Sequence, residues 1–303
     1  MKILLTGGCG FIGSNIAEKL VNLGHEVIIV DNLSSGKEAN IAGFKDKVQL
    51  YIKDIRSIDA SFLKGVDCIL HQAALRTVPK SFLNPKEFYE VNVIGTLNLI
   101  LAAKESGVKK IVLASSSSVY GEQSLFPVKE SMATNPISPY ADSKLSTEHI
   151  AAMFSSKEMP IVCLRYFNIF GIRQALDDEY SAVIPKFITK IKNNDNPIIF
   201  GDGEQKRDFT YIDDVVSANI QAMYHGNGVY NIGNGKPKSI NQLYRALNII
   251  MGKEIRPEYA PARKGDIRKS HAGISKAIVE LNWKPKISFE EGLKRTVKWH
   301  LEN

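Results

Sequence analysis

Residues Tyr140-Ala141-Asp142-Ser143-Lys144 set a phenol and an ammonium four positions apart, and on a helix residues at that spacing share a face. The pair has chemical meaning. A free phenol ionises near pH ~10, and a neighbouring cation favours the phenolate, so such a tyrosine can take and return a proton near neutrality. Upstream, Ala114-Ser115-Ser116-Ser117-Ser118-Val119-Tyr120-Gly121 closes a β-rich run with hydroxyls. At the carboxyl edge of a parallel sheet, where ligands of open α/β folds bind, these hydroxyls can bridge a substrate oxygen and the tyrosine.

A second constellation stands at the N-terminus. Thr6-Gly7-Gly8-Cys9-Gly10-Phe11-Ile12-Gly13 follows a strand-like run and opens a helical one, the context a dinucleotide fingerprint requires. It reads either as Gly8-x-Gly10-x-x-Gly13 or as Gly7-x-x-Gly10-x-x-Gly13. Glycine lets the backbone turn tightly and approach a pyrophosphate, while the helix start supplies amides and partial positive charge. Asp31 ends the next run, eighteen residues after Gly13, where a carboxylate can accept from ribose hydroxyls. It disfavours a 2′-phosphate, and Asn32-Leu33-Ser34-Ser35 brings no arginine, so NAD is expected over NADP. Asp54 and the amide of Ile55 are placed to contact adenine, although Asp54 can equally cap its turn. Ala73 and Ala74 are small enough for backbone to lie against the cofactor.

These groups need a parallel sheet to hold them. The runs Lys2–Thr6, Glu26–Asp31, Val48–Lys53, Val66–Ala73, Lys110–Ser115 and Ile161–Asn168 read as strands alternating with helices, which predicts a doubly wound α/β (Rossmann) sheet. Between the first two, Ile12, Ile16, Leu20 and Leu23 recur at helical spacing and Gly24 follows as a cap. Longer helices are expected over Pro85–Ser106 and Tyr140–Lys157. After Gly171 the pattern breaks into Pro- and Gly-punctuated pieces. The division expected is a dinucleotide-binding domain over 1–170, to which some later segments return, and a smaller C-terminal α/β substrate lobe over 171–303.

The composition excludes several classes. With 44% hydrophobic and 23% charged residues in 303, and no run near the ~18 apolar residues of a membrane span, a globular chain is expected, with no membrane partner. No secretory leader is recognisable at Met1, so a cytoplasmic location is expected. Cys9, Cys68 and Cys163 are scattered singly and lack metal-binding spacing; no metal is expected. The net charge of +7 comes from dispersed residues, so nucleic acid is not an expected partner. Some of the arginines are available to a pyrophosphate.

The ordered set TGGCGFIGSN, DNLSSG, HQAA, SSSSVYG, YADSK, RYFNIFG, GDGEQKRDFTYIDD and ARKGDIRKSHAGISKA resembles the extended short-chain dehydrogenases/reductases of the NAD-dependent epimerase/dehydratase type, over nearly the whole chain. The resemblance implies a catalytic triad of Ser116, Tyr140 and Lys144, with Lys144 also holding the nicotinamide ribose and Ser117 able to share the hydroxyl role. The expected NAD contacts are Gly7, Gly10, Phe11, Ile12, Gly13, Asp31, Asn32, Ser35, Asp54, Ile55, Ala73, Ala74, Asn92, Tyr140, Lys144 and Tyr166. A UDP-sugar is the implied substrate. Asn168, Val183, Ile184, Phe200, Gly201, Arg207, Arg263, Asp266 and Ser270 would line its site beside Ser116 and Ser117. Arginine forks at 207 and 263 suit a pyrophosphate, and an aspartate at 266 suits ribose hydroxyls. A homodimer through the two long helices is implied as well.

Within this family, 4,6-dehydratases resemble one another in an Asp-Glu pair after the catalytic hydroxyl, and decarboxylases in a glutamate of the same turn. Here Ser117 and Ser118 fill those positions. Reversible oxidation at C4 is therefore the implied chemistry: Tyr140 takes the hydroxyl proton, hydride passes to NAD, and it returns to the other face of a 4-keto sugar. Ser270 stands where a tyrosine would confine the site to unsubstituted hexoses, which admits UDP-N-acetylglucosamine beside UDP-glucose. Arg173-Gln174-Ala175-Leu176 lacks the further arginine expected of a UDP-glucuronate epimerase, though Arg76 is available for that role. A sugar-nucleotide reductase or dehydratase of the same fold is the nearest rival, and a non-catalytic dinucleotide sensor a distant one.

Overall fold

The computed structural model describes residues 1–175, 182–262 and 267–302. Strand β1 (Lys2–Thr6) is buried on both faces from Ile3 onward, which a strand tolerates where helices cover both sides of its sheet. Among the described residues it forms one parallel sheet with β2 (Glu26–Asp31), β3 (Val48–Ile52), β4 (Cys68–His71), β5 (Lys110–Ser116), β6 (Ile161–Tyr166) and β7 (Gly228–Ile232), in the order β7-β6-β5-β4-β1-β2-β3. Registers such as Leu4↔Ile28, Leu4↔Ile69 and Ile69↔Ile111 put like residues on one face. Those side chains join one apolar cluster, whereas their neighbours Ile3, Leu5, Ile29 and Leu70 join another across the sheet. Strand β7 comes from the region after Gly171, so the sheet recruits a late segment as its edge.

The chain leaves β1 toward β2 and β3, then crosses back to place β4 on the other side of β1. This reversal opens a crevice at the strand carboxyl ends, the place where doubly wound sheets bind ligands. Helix α1 (Phe11–Asn22) starts in that crevice. The helical run after Pro85 is not uniform: a π-helical turn over Tyr89–Ile94 precedes α2 (Gly95–Ser106). The wide turn carries Asn92 inward. Its carboxamide accepts from Leu75 N at 2.8 Å and donates to Leu75 O and Ser143 Oγ, both at 3.0 Å.

Helix α3 (Pro139–Phe154) begins one residue before the expected Tyr140 and stops short of Lys157. Pro139 suits the first turn, and Ser138 Oγ accepts from Ala141 N at 3.1 Å to cap it. At the other end, Ser155 Oγ accepts from Ile161 N at 2.9 Å and turns the chain into β6. Tyr140, Lys144 and Glu148 thus run along one face of α3. Beyond β6, α4 (Ile212–Tyr224) returns to the sheet and packs on α1. The pieces around it are two-stranded ribbons and helices fixed by buried carboxylates. Asp208 accepts from the amides of Asn234, Gly235 and Ala272, and Asp214 from those of Lys286 and Ile287.

Helix α3 is joined to the sheet by charge as well as by packing. Glu148 receives Nε and Nη2 of Arg165 on β6 at 2.9 and 2.6 Å, with the two side chains 3% and 5% exposed. Ser115 on β5 donates to the same carboxylate. Removing one member of such a buried pair strands the other charge, at a cost of about 3–5 kcal/mol. Glu148→Ala is therefore expected to lose about that much stability in urea titrations, and Glu148→Met with Arg165→Met to recover most of it. Equal losses in the two variants would show that the pair does not act as a unit.

Candidate active site

Three cavities hold most of the residues singled out by sequence. The first is bounded by the β1–α1 loop and the ends of β2 and β4, and its walls hold Gly7, Gly10, Phe11, Ile12, Gly13, Asp31, Asn32, Ser35, Asp54, Ile55, Ala73 and Ala74. Gly7 has φ +69°, and a Cβ on it would lie 2.7 Å from Ala73 N. A Cβ on Gly13 would lie 2.0 Å from Gly7 O. Gly8 instead packs against Ile29, where a Cβ would come within 2.5 Å. The fingerprint is therefore Gly7-x-x-Gly10-x-x-Gly13, with backbone amides at the mouth of α1. This loop fits a dinucleotide pyrophosphate.

Asp31 is buried and holds the loop in shape: Oδ2 accepts from Cys9 N at 2.9 Å and Oδ1 from Leu33 N at 2.8 Å. Asp54 has both roles open to it by sequence. It lines the cavity, and it caps its turn by accepting from Arg56 N at 2.9 Å while pairing with the Arg56 guanidinium, which draws its carboxyl below the ordinary range. Asn92 lies outside the cavity walls and ties Leu75 to α3. Lys144 is outside them too, buried beneath.

The second cavity, about 380 Å³, has Ser116, Ser117, Tyr140, Tyr166, Asn168, Arg207 and Ser270 in its walls. Tyr140 is half-buried there. Burial pushes its phenol up, opposed by a hydrogen bond with Ser116 and the positive charge of Arg76. Ser116 Oγ also accepts from Ser118 Oγ at 2.8 Å. Lys144 Nζ donates to Ala114 O at 2.8 Å, and burial lowers this ammonium to about 8. The charge felt by the phenol is thus that of Arg76, whereas helical spacing alone points to Lys144. The Tyr166 ring faces this cavity. Its hydroxyl is engaged elsewhere, donating to Gln72 Oε1 at 3.2 Å and receiving Asn219 Nδ2 at 2.9 Å.

The third cavity, about 630 Å³, opens from the second, sharing Asn168 and Arg207 with it, and is lined further by Val183, Ile184 and Phe200. Gly201 is not in its wall; its amide bonds Ala260 O at 2.8 Å. Asn168 Nδ2 donates to Ser270 Oγ at 3.1 Å, which joins two distant motifs. Arg263, Asp266 and Leu176 lie outside the described residues. Sequence reasoning missed Gln123, Phe126 and Lys269 in the second cavity and Lys186 in the third. No local pattern marks them, because a fold contact brings each one in.

A doubly wound sheet with a glycine cradle at its switch point, Ser116 at a strand end and Tyr140 and Lys144 on the helix beside it defines a dinucleotide-dependent enzyme of the short-chain dehydrogenase/reductase type. The chain belongs to the NAD dependent epimerase/dehydratase family, whose model matches residues 3–233. It is 39% identical to the UDP-glucose 4-epimerase of Thermotoga maritima solved with UDP-glucose, with a TM-score of 0.94 over 100% of this chain and 99% of that one. It is 40% identical to the UDP-N-acetylglucosamine 4-epimerase of Methanobrevibacter ruminantium M1 solved with UDP-N-acetylmuramic acid, with a TM-score of 0.96 and coverage of 99% and 98%. A UDP-glucuronate 4-epimerase of Thermodesulfobacterium geofontis is 38% identical, over 99% of this chain and 96% of its own.

Three absences concern the described residues. No helix is long and apolar enough to cross a membrane, no cluster of His, Cys, Asp or Glu could hold a metal, and the three cysteines are free and buried.

The buried Lys144 carries a thermodynamic signature. Its folded pKa of about 8 lies below its ordinary value of 10.5, so folding is penalised while both states are protonated and the penalty fades as pH rises. Wild type is expected to gain stability relative to Lys144→Met between pH 8 and 10.5, measured by denaturant titration across that range. A constant difference would mean that Lys144 is not desolvated.

Proposed function

We propose that the protein is an NAD-dependent 4-epimerase of UDP-sugars. The observation that carries this reading is the character of the second cavity: it collects Ser116, Tyr140 and the hydroxyls of Ser117 and Ser118, and among the described residues no aspartate or glutamate lines it. Elimination of water or loss of carboxylate would call for a further acid or base. Reversible oxidation at one carbinol needs a single group that gives and takes one proton.

Tyr140 is that group, with Ser116 handing it the sugar hydroxyl. In the resting site burial keeps the phenol protonated, so its work as a base depends on nearby positive charge. Arg76 supplies part of that charge, and Lys144 fixes the strand end at Ala114 and stands ready for the nicotinamide ribose. NAD, when bound, supplies a reversible hydride acceptor at C4 of the sugar. Gly7, Gly10 and Gly13 would hold its pyrophosphate and Asp31 its adenosine ribose. Arg207, in the walls of both substrate cavities, would hold the UDP pyrophosphate, with the uridine end beside Val183, Ile184 and Phe200. Ser270 leaves space beside Asn168 that suits an N-acetyl group, so UDP-glucose and UDP-N-acetylglucosamine are both within the reading. Exposed Ile94 and Leu101 on one long helix and Met153 on the other favour a homodimer through these faces, and the enzyme is taken to act in the cytoplasm.

Incubation with UDP-hexoses without added cofactor, followed by NMR at C4, tests reaction and bound NAD together. Inversion is expected with no net nicotinamide consumed; stoichiometric NADH loss would make the protein a reductase. Tyr140→Phe should keep its fold and cofactor while turnover falls about 10²–10⁴-fold, and near-normal turnover would remove Tyr140 as the base. Ser270→Tyr is expected to lose N-acetylated substrates selectively, read as the ratio of kcat/KM between UDP-N-acetylglucosamine and UDP-glucose.

A further inference from the structure

The sugar cavity contains a cation that the proposed reaction does not use. Lys269 is half-buried in its wall, with Nζ 4.5 Å from the centre of the Phe126 ring, and Phe126 lines the same space. Among the described residues no carboxylate pairs with Lys269. The neighbouring Arg268 has its charge met, since its two Nη atoms reach Asp202 at 2.7 and 2.9 Å. Lys269 therefore faces a pocket whose described walls hold hydroxyls, apolar rings, one further cation and no acid.

That further cation, Arg207, stands where the sugar cavity meets the nucleotide cavity and is placed for the diphosphate; Lys269 is absent from the nucleotide cavity's walls. A half-buried ammonium over an aromatic face keeps only part of its hydration, and a ligand carboxylate would restore what is missing through a charge-assisted hydrogen bond. The Ser117 and Ser118 hydroxyls and the Gln123 carboxamide, in the same walls, add neutral donors.

We propose that Lys269 is a specificity-determining residue forming an anion subsite, so that the cleft takes UDP-sugars bearing a carboxylate as well as neutral ones. This rests on the reading of the cleft as a UDP-sugar site. The carboxylate can be carried at C5, as in a uronic acid, or on an ether substituent, as in a muramic acid. Both present the same chemistry to the ammonium.

Binding equilibria separate these cases without requiring turnover. Wild type, Lys269→Met and Lys269→Arg would each be titrated calorimetrically with UDP, UDP-glucose, UDP-glucuronate and UDP-N-acetylmuramic acid. The expected result is that Lys269→Met weakens at least one acidic ligand about tenfold or more beyond any change for UDP and UDP-glucose, and that Lys269→Arg regains most of it. The acidic ligand that bears the loss identifies where the carboxylate is attached. Equal loss for all four ligands would assign Lys269 to the diphosphate and overturn the proposal, as would an unchanged ratio of acidic to neutral affinity. Lysine-dependent binding of an acidic sugar without C4 inversion would sink the epimerase reading and leave the subsite standing. C4 inversion with no effect of Lys269 on selectivity would do the reverse.

Discussion

The architecture of the catalytic edge depends on one buried ion pair. Glu148 lies on the helix that carries Tyr140 and Lys144, Arg165 on strand β6, and Ser115 on strand β5 immediately before Ser116. One carboxylate therefore fixes the relative position of the three elements whose ends make the site. Arg165 continues the chain of contacts, its guanidinium lying 4.5 Å from the centre of the Tyr120 ring, whose hydroxyl donates to Asn231 on β7 at 2.7 Å. A hydrophobic contact would allow the helix to slide along the sheet. A bidentate pair sets its register and so keeps Tyr140 within hydrogen-bond reach of Ser116.

The price of this rigidity is desolvation, visible in the groups around the pair. Burial lowers Lys144 to about 8 and His71 to about 3, the latter also repelled by Lys144. His71 is thus neutral, and it bridges Thr6 on β1 and Thr96 on α2 at 2.6 and 2.9 Å. Glu148 acts in the other direction, favouring the charged form of Lys144. The same carboxylate that aligns the helix thereby helps to keep its ammonium protonated near neutrality. Glu148 thus contributes both to the position of the helix and to the charge state of Lys144.

Much of this was legible in the sequence because it is local. The glycine loop, Asp31 and the Tyr-Lys spacing each depend on a few consecutive residues, and the alternation of strands and helices gave the doubly wound sheet. Even so, spacing could not choose between Gly7 and Gly8; the choice rests on what lies across the turn, Ala73 in one case and Ile29 in the other. Nor could spacing show that Asn92 serves the loop after β4, since that depends on a wide helical turn aiming its carboxamide at Leu75. Tyr166 was expected at the cofactor; its ring lines the second cavity instead, and the capture of its hydroxyl by Gln72 and Asn219 joins three segments far apart in the chain. Lys269 and Gln123 were the least legible of all. Each is one of many polar surface-type residues, distinguished only by the cavity beside it.

The arrangement of the three cavities gives the enzyme a division of labour. The first cavity is bounded by the ends of β1 to β4 and the segments that follow them, and glycines and short side chains make up much of its wall. The nucleotide cavity is built from later segments pinned by buried carboxylates such as Asp208, whose three backbone partners fix the stretch that carries Arg207. The second cavity draws on segments far apart in the chain, with Ser116, Tyr140 and Asn168 from the first 170 residues and Arg207, Lys269 and Ser270 from the rest. On the proposed reading, reactivity would fall to the first set of residues and selectivity to the second. On that reading, a change of substrate would come from residues such as 269 and 270, which lie outside the elements that carry the Glu148–Arg165 pair.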